Sequence, residues 1–215
     1  AGQADVRAAV INLITTRQRM ALGLLELQRL IPRLDAEYLQ LSEDPKALEA
    51  LRILGSAHRP GPLDESYEDE RSRLGPCRRE VFTSWVPVYR QSGRVRVGAI
   101  ADERIPLTFT WLESNDPTVL TATMAEAIGL NPVDDSKPSY PITMGRNRRV
   151  AAWQATLSTL RFGKHVLRDV PCYVLPPEAE DLGAQIGVDA FSEFDPRLEI
   201  ERLRLVIRSR HEEQA

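Results

Sequence analysis

Cysteine is scarce: Cys77 and Cys172 are the only two in 215 residues, and neither belongs to a Cys-x-x-Cys or Cys/His cluster, so no metal site is expected. The pair either forms one disulfide, if the protein is exported, or stays as two free thiols. Histidine is equally thin, with His58, His165 and His211 scattered at no ligand spacing. No apolar run is long enough to span a bilayer. An excess of positive charge is also missing. The formal net charge is −3 and the pI about 5.7, so nothing draws the chain to nucleic acid. The basic clusters Arg78-Arg79 and Arg146, Arg148, Arg149 carry two or three charges each and read as solvated loops. There is no glycine-rich phosphate loop. No strand-elbow glycine motif surrounds Ser114, so a triad of Ser114, His165 and an aspartate has no support. No cofactor is expected.

What is present is an ordinary soluble composition, 42% hydrophobic and 27% charged, with room for one medium domain and an extension or for two small domains. The chain begins Ala-Gly-Gln-Ala, which fits either a trimmed chain or a mature one after signal removal. Residues 6–41 carry the strongest periodicity. Val6, Val10, Leu13, Arg17, Met20, Leu24, Leu27, Ile31, Leu34, Tyr38 and Leu41 alternate steps of four and three, a heptad seam with one charged member. Such a helix needs a partner, either the same helix of a second chain or the rest of this chain folded back. Pro32 lies inside the seam, so a kink or break is expected near Ile31. A short helix follows, capped by Ser42 or Asp44 and stopped by Gly55. Residues 56–75 are rich in proline, glycine and charge and read as a linker or surface loop.

From Val81 the pattern changes to period two. Residues 86–89 and 95–100 form a hairpin about Ser92-Gly93, and Asp102-Glu103 turns into a strand in which Ile105, Leu107, Phe109 and Trp111 alternate with polar positions. A polar elbow, residues 113–117, leads to Val119-Leu120 and then to a helix with Thr121 as cap and Gly129 as stop. A second hairpin, 140–144 with 149–157, brackets a polar tip. A strand over 165–175, an apolar glycine-punctuated segment over 182–191 and a last strand over 198–207 follow, with a bulge or turn at Glu201-Arg202. Trp111 and Trp153 are assigned to core packing.

The order of these pieces, together with Thr118–Leu130, Leu160–Val170, Val174–Pro177 and Gln185–Asp189, resembles the retropepsin-like aspartic proteases of clan AA, and the leading helices resemble those of exported bacterial members. In that family the strand ends in an Asp-(Thr/Ser)-Gly-Ala-Ser loop. Counting back from Gly129-Leu130 puts Leu112 at the aspartate, Glu113 at the Thr/Ser, Ser114 at the glycine, Asn115 at the alanine and Asp116 at the serine. Ile186-Gly187 matches the hydrophobic-glycine segment beside the loop. The family mechanism implies a homodimer whose two aspartates share a proton. A leucine can neither ionise nor hydrogen-bond the attacking water.

The resemblance therefore implies an α+β chain: an N-terminal helical or coiled-coil segment, residues 1–55, a linker or loop, 56–80, an all-β retropepsin-like barrel domain with one short helix, 81–208, and a charged tail, 209–215. The expected role is a catalytically inactive, dimeric peptide- or protein-binding or assembly module, in the periplasm or cell envelope if exported and otherwise cytoplasmic. Its binding residues are expected to be Trp111, Leu112, Asp116, Gly145, Arg146, Asn147, Ile186 and Gly187, with the 145–148 tip as a flap. Two alternatives are an aspartic endopeptidase whose displaced acid is Glu113, and a purely structural oligomerisation protein. Asp189 is read as a structural hydrogen-bonding residue.

Overall fold

Leucine-rich helix formers fill the first forty residues, and in the structure, a computed structural model describing residues 2–53, 65–130, 140–144 and 148–210, they make one helix. It divides into two units, Ala1–Gln18 with Phe82–Ala215, and Arg19–Val81. Helix α1 (Gly2–Glu43) runs unbroken through Pro32, so of the expected kink or break, the break does not occur. A single proline removes one helical bond, to the carbonyl of Gln28, and strong helix formers on both sides, Leu30, Arg33 and Leu34 among them, carry the helix across it. Asp44 caps α2 (Pro45–Ile53), its Oδ1 accepting from the Lys46 N–H at 2.7 Å, with Pro45 in the first turn.

The second correction concerns the presumed linker. Residues 65–81 form helix α3 (Glu65–Val81), while residues 54–64 lie outside the described residues. Charge-dense and lacking an apolar stripe, α3 is held by specific contacts to α1. Tyr67 donates to Asp35 at 2.7 Å, Arg71 pairs with the same carboxylate at 3.2 Å, and Tyr38 meets Tyr67 edge-on at 6.4 Å. Cys77 on α3 is an exposed free thiol and Cys172 a buried one, so the disulfide left open by the sequence is not formed.

The β unit holds β1 (Trp85–Gln91), β2 (Arg94–Ala101), β3 (Ile105–Trp111), β4 (Thr118–Leu120), β5 (Tyr140–Met144), β6 (Arg148–Phe162), β7 (His165–Val174), β8 (Gln185–Ile186), β9 (Phe194–Glu199) and β10 (Arg204–Ser209), with one short helix, α4 (Ala122–Ala127). Positive φ at both Ser92 and Gly93 gives the β1–β2 turn the hand that matches strand twist. The strands lie in the order β5-β6-β7-β4-β8-β3-β2-β1-β10-β9, with an added β6–β2 pairing. That pairing rests on Ile100↔Arg161 and Ala101↔Leu160 alone. The expected barrel is therefore a ten-stranded sheet curled on itself, not a true barrel. The last strand of the sequence reading is a hairpin. Residues 200–202 make a 3-10 turn, and Leu203 takes φ +48 before β10 pairs back on β9.

Alternation buries Leu107, Phe109 and Trp111 of β3 against Phe162, Leu157, Phe191 and Ile207. Each fully buried side chain of this kind contributes roughly 1.5–3 kcal/mol. The start of α1 packs on the same sheet. A Cβ at Gly98 would stand 3.0 Å from Ile14 Cγ2, so the glycine admits the helix. Gln18 Nε2 then donates to the carbonyls of Ala99 (3.2 Å) and Leu107 (3.3 Å), a cross-strand pair. Arg17, the charged member of the heptad seam, lies 4.6 Å over the Trp85 ring and donates to Thr83 Oγ1 at 2.9 Å.

Candidate functional site

β3 delivers the chain to residues 112–117 through a parallel ladder with β8, in which Thr110 pairs with Gln185 and Trp111 with Ile186. The Thr110 N–H donates to the Ala184 carbonyl (2.9 Å) and the Leu112 N–H to the Ile186 carbonyl (3.0 Å). Beyond Leu112 the loop turns back, and the Val188 N–H donates to the Ser114 carbonyl at 3.2 Å. Gly187 is buried between these ties. A Cβ there would lie 2.2 Å from the Asp116 carbonyl oxygen and 2.7 Å from that of Ser114, closer than any carbon approaches an oxygen without displacement. Its φ is −99, so close approach and not backbone conformation requires the glycine.

Within the loop, Ser114 Oγ donates to Asp116 Oδ2. Asp189 presents Oδ1 toward Gly187. Partial desolvation of that carboxyl raises its pKa above the ordinary carboxylate value, against the pull of the Ala190 and Asp189 N–H groups, and the charge of Asp116 adds to the rise. The residue as a whole is exposed. Behind the loop, β4 is fully buried. Thr121 caps α4 by accepting from the Met124 N–H at 3.2 Å, and the Leu130 N–H closes its end on the Ala125 carbonyl at 2.9 Å. Glu180 accepts from the Thr123 N–H (2.8 Å) and hydroxyl (2.5 Å), bonds that hold its carboxyl below the ordinary value.

In front of the loop is a groove of about 1000 Å³. Leu112, Trp111, Val95, Met144, Leu182 and Leu198 supply its apolar surface, and Arg94, Glu113, Asp116 and Gln185 its polar groups. Arg148, at the start of β6, reaches Asp181 with two bonds of 2.9 and 3.2 Å, tying the flap-like β5–β6 hairpin to the 177–182 turn. Trp111 packs edge-on against Phe191 at 5.6 Å, and its indole N–H is buried with no hydrogen-bond partner.

Of the residues singled out in sequence, Trp111, Leu112 and Asp116 line this groove together, with Glu113 beside them, exposed. Ile186 and Gly187 are buried behind the loop as its support. Gly145, Arg146 and Asn147 lie outside the described residues. Sequence reading missed Arg94, Gln185 and the Arg148–Asp181 pair. Only Arg148 carried a signal, as a cation next to a hairpin tip. Among the described residues no group of acidic, histidine or cysteine side chains could hold a metal, and no helix is long and apolar enough to cross a membrane.

A family model described as "gag-polyprotein putative aspartyl protease" matches residues 115–193, from the elbow to the end of the hydrophobic-glycine segment. No curated protein matches the chain. Among solved structures, the chain is similar to a retropepsin-like aspartic protease from Rickettsia conorii, at 16% identity and a TM-score of 0.45, over 58% of this chain and 89% of that one. The family match therefore covers residues 115–193 of the β unit, which follow the long N-terminal helix in the chain.

Proposed function

We propose that this chain binds an extended peptide or protein segment in the groove before residues 112–117 and does not cleave it. One observation carries the reading: Leu112 occupies the groove at the position where the family resemblance places the aspartate, on a loop whose backbone ties to Ile186 and Val188 are intact. The backbone bonds of Leu112 and Val188 support this reading of the loop, and the groove-facing group at its start is hydrocarbon. Leucine supplies neither the base that activates water nor the acid that protonates the scissile carbonyl. Its side chain, with Trp111 and Met144, suits an apolar residue of a bound chain, and Arg94, Glu113 and Gln185 supply polar contacts at the sides.

A second reading has one observation in its favour: Glu113 lines the same groove. A longer carboxylate one residue displaced would then act as the acid of an aspartic endopeptidase.

The two divide on one experiment. The full chain is incubated with a mixture of fluorogenic peptides across the acid to neutral range, while Trp fluorescence follows binding. The expected result is saturable binding with no cleavage, and gain of cleavage in the Leu112→Asp, Ser114→Gly double variant. Pepstatin-sensitive cleavage by the native chain, lost in Glu113→Gln, would overturn the binding reading.

A further inference from the structure

In the helical unit, α1 leaves one apolar row uncovered. Met20, Leu27, Leu34 and Leu41 recur every seventh residue and, with Leu30, remain between 38% and 47% exposed. The other half of the heptad seam, Leu24, Ile31 and Tyr38, is half-buried, on the side where α3 packs through Tyr67 and where Leu24 and Ile31, with Leu27 at the edge, share a groove of about 300 Å³ with Leu74. Among the described residues, α3 thus lies over Leu24, Ile31 and Tyr38 and borders Leu27, while the row of Met20, Leu27, Leu34 and Leu41 keeps its exposure along about 32 Å of helix.

The open face has its own alternation of steps. Between the leucines stand Gly23, Leu30 and Glu37, all exposed, so residues 20–41 repeat a three-four spacing of the kind that seats knobs in the holes of a facing helix. Its border on the side away from α3 carries Arg19, Glu26 and Arg33 at seven-residue spacing. A parallel copy of the same helix would set each of these beside its own uncharged flank. An antiparallel copy does otherwise. With Leu27 of one chain against Leu30 of the other, Gly23 faces Leu34, large against small, and Glu26 falls beside Arg33 twice, once on each side of a two-fold axis. Shifting by one heptad in either direction sets Arg33 beside Arg33, or Glu26 beside Glu26 and Arg19 beside Arg33, so charge selects the register.

We propose that the row Met20–Leu27–Leu34–Leu41 of α1 is the seam of an antiparallel, two-fold-symmetric dimer with a second copy of this chain, registered by Glu26–Arg33 pairs. The occupant is a second copy because Leu27 meets Leu30, Gly23 meets Leu34 and Glu26 meets Arg33 about one point near residues 28 and 29, which is the condition for an isologous interface; the same register sets Met20 against Glu37, at the solvent-facing ends of the seam. The inference is independent of what the β groove binds.

The test is the mass of the full chain by sedimentation equilibrium over the micromolar range, with helix content checked by circular dichroism. The native chain is expected to dimerise. Leu27→Glu with Leu30→Glu should raise the dimer dissociation constant by at least about a hundredfold. Glu26→Arg and Arg33→Glu, each alone, should raise it by about tenfold, and the two together should restore it. A native chain that stays monomeric throughout overturns the proposal. So does a dimer indifferent to the two leucine substitutions, and so does one that loses affinity on either charge reversal without recovering it in the double swap. Peptide binding in the groove is read separately, so failure of either idea leaves the other standing.

Discussion

Replacing Gly187 by alanine puts the support of the 112–117 loop under direct strain. The new Cβ would start 2.2 Å from the Asp116 carbonyl oxygen, 2.7 Å from that of Ser114 and 3.0 Å from Asp189 Oδ1. An ordinary carbon-oxygen contact is about 3.3 Å or more, so one backbone must withdraw by about 1 Å. Two hydrogen bonds span the gap that would open, Leu112 N–H to Ile186 and Val188 N–H to Ser114. Each is worth about 1 kcal/mol net, and overpacking at a filled site costs about 1–3 kcal/mol. The expected destabilisation of Gly187→Ala is therefore roughly 3–5 kcal/mol. Urea unfolding followed by Trp fluorescence measures it selectively, because Trp85, Trp111 and Trp153 all lie in the β unit. Gly129→Ala is the comparison. At φ +73 with open space around the added methyl, it pays only the left-handed backbone cost of about 1–2 kcal/mol. A Gly187→Ala midpoint at or above that of Gly129→Ala, at equal slope, would refute the claim that close approach locks the loop.

Two further outcomes follow from the side chains. A thiol reagent should titrate one cysteine in the native protein, the exposed Cys77, and a second only on unfolding, since burial pushes the Cys172 thiol up to about 12; two fast thiols at neutral pH would contradict the packing of β7. The Thr123 bonds hold the Glu180 carboxyl below its ordinary value of 4.5. Their stabilisation is present above that pH and is lost as the pH falls through the lowered folded value. Thr123→Ala should thus have a lower melting temperature than the native chain near neutrality, with the gap closing in acid, and a gap independent of pH would remove Glu180 as its cause.

Where a signal was local, it was legible in the sequence. Alternation marked β3, positive-φ residues marked the β1–β2 turn, and Thr121 and Gly129 marked both ends of α4, because each depends on neighbours a few residues away. α3 was hidden for the converse reason. Its charge-dense residues form a helix fastened through Asp35, thirty-two residues from Tyr67, and no apolar period announces it. Pro32 does not end α1 because its cost is a single hydrogen bond set against a long run of favourable neighbours. Gln18 reaches Ala99 and Leu107 across more than eighty residues, and Arg148 reaches Asp181 across thirty-three. Only the folded sheet brings such partners together, so the loop at the bottom of the groove could be anticipated and the polar groups around it could not.

The constraints on residues 112–117 also separate the scaffold's needs from those of hydrolysis. Gly187 is packed against backbone atoms of Ser114 and Asp116, and the backbone of Leu112 and Ser114 bonds to Ile186 and Val188. None of these contacts depends on which side chain stands at 112, 113 or 115. The loop can therefore keep its shape whatever side chain stands at the groove-facing position 112. Where a side chain does contribute, as Ser114 Oγ does to Asp116 Oδ2, it stitches the loop to itself.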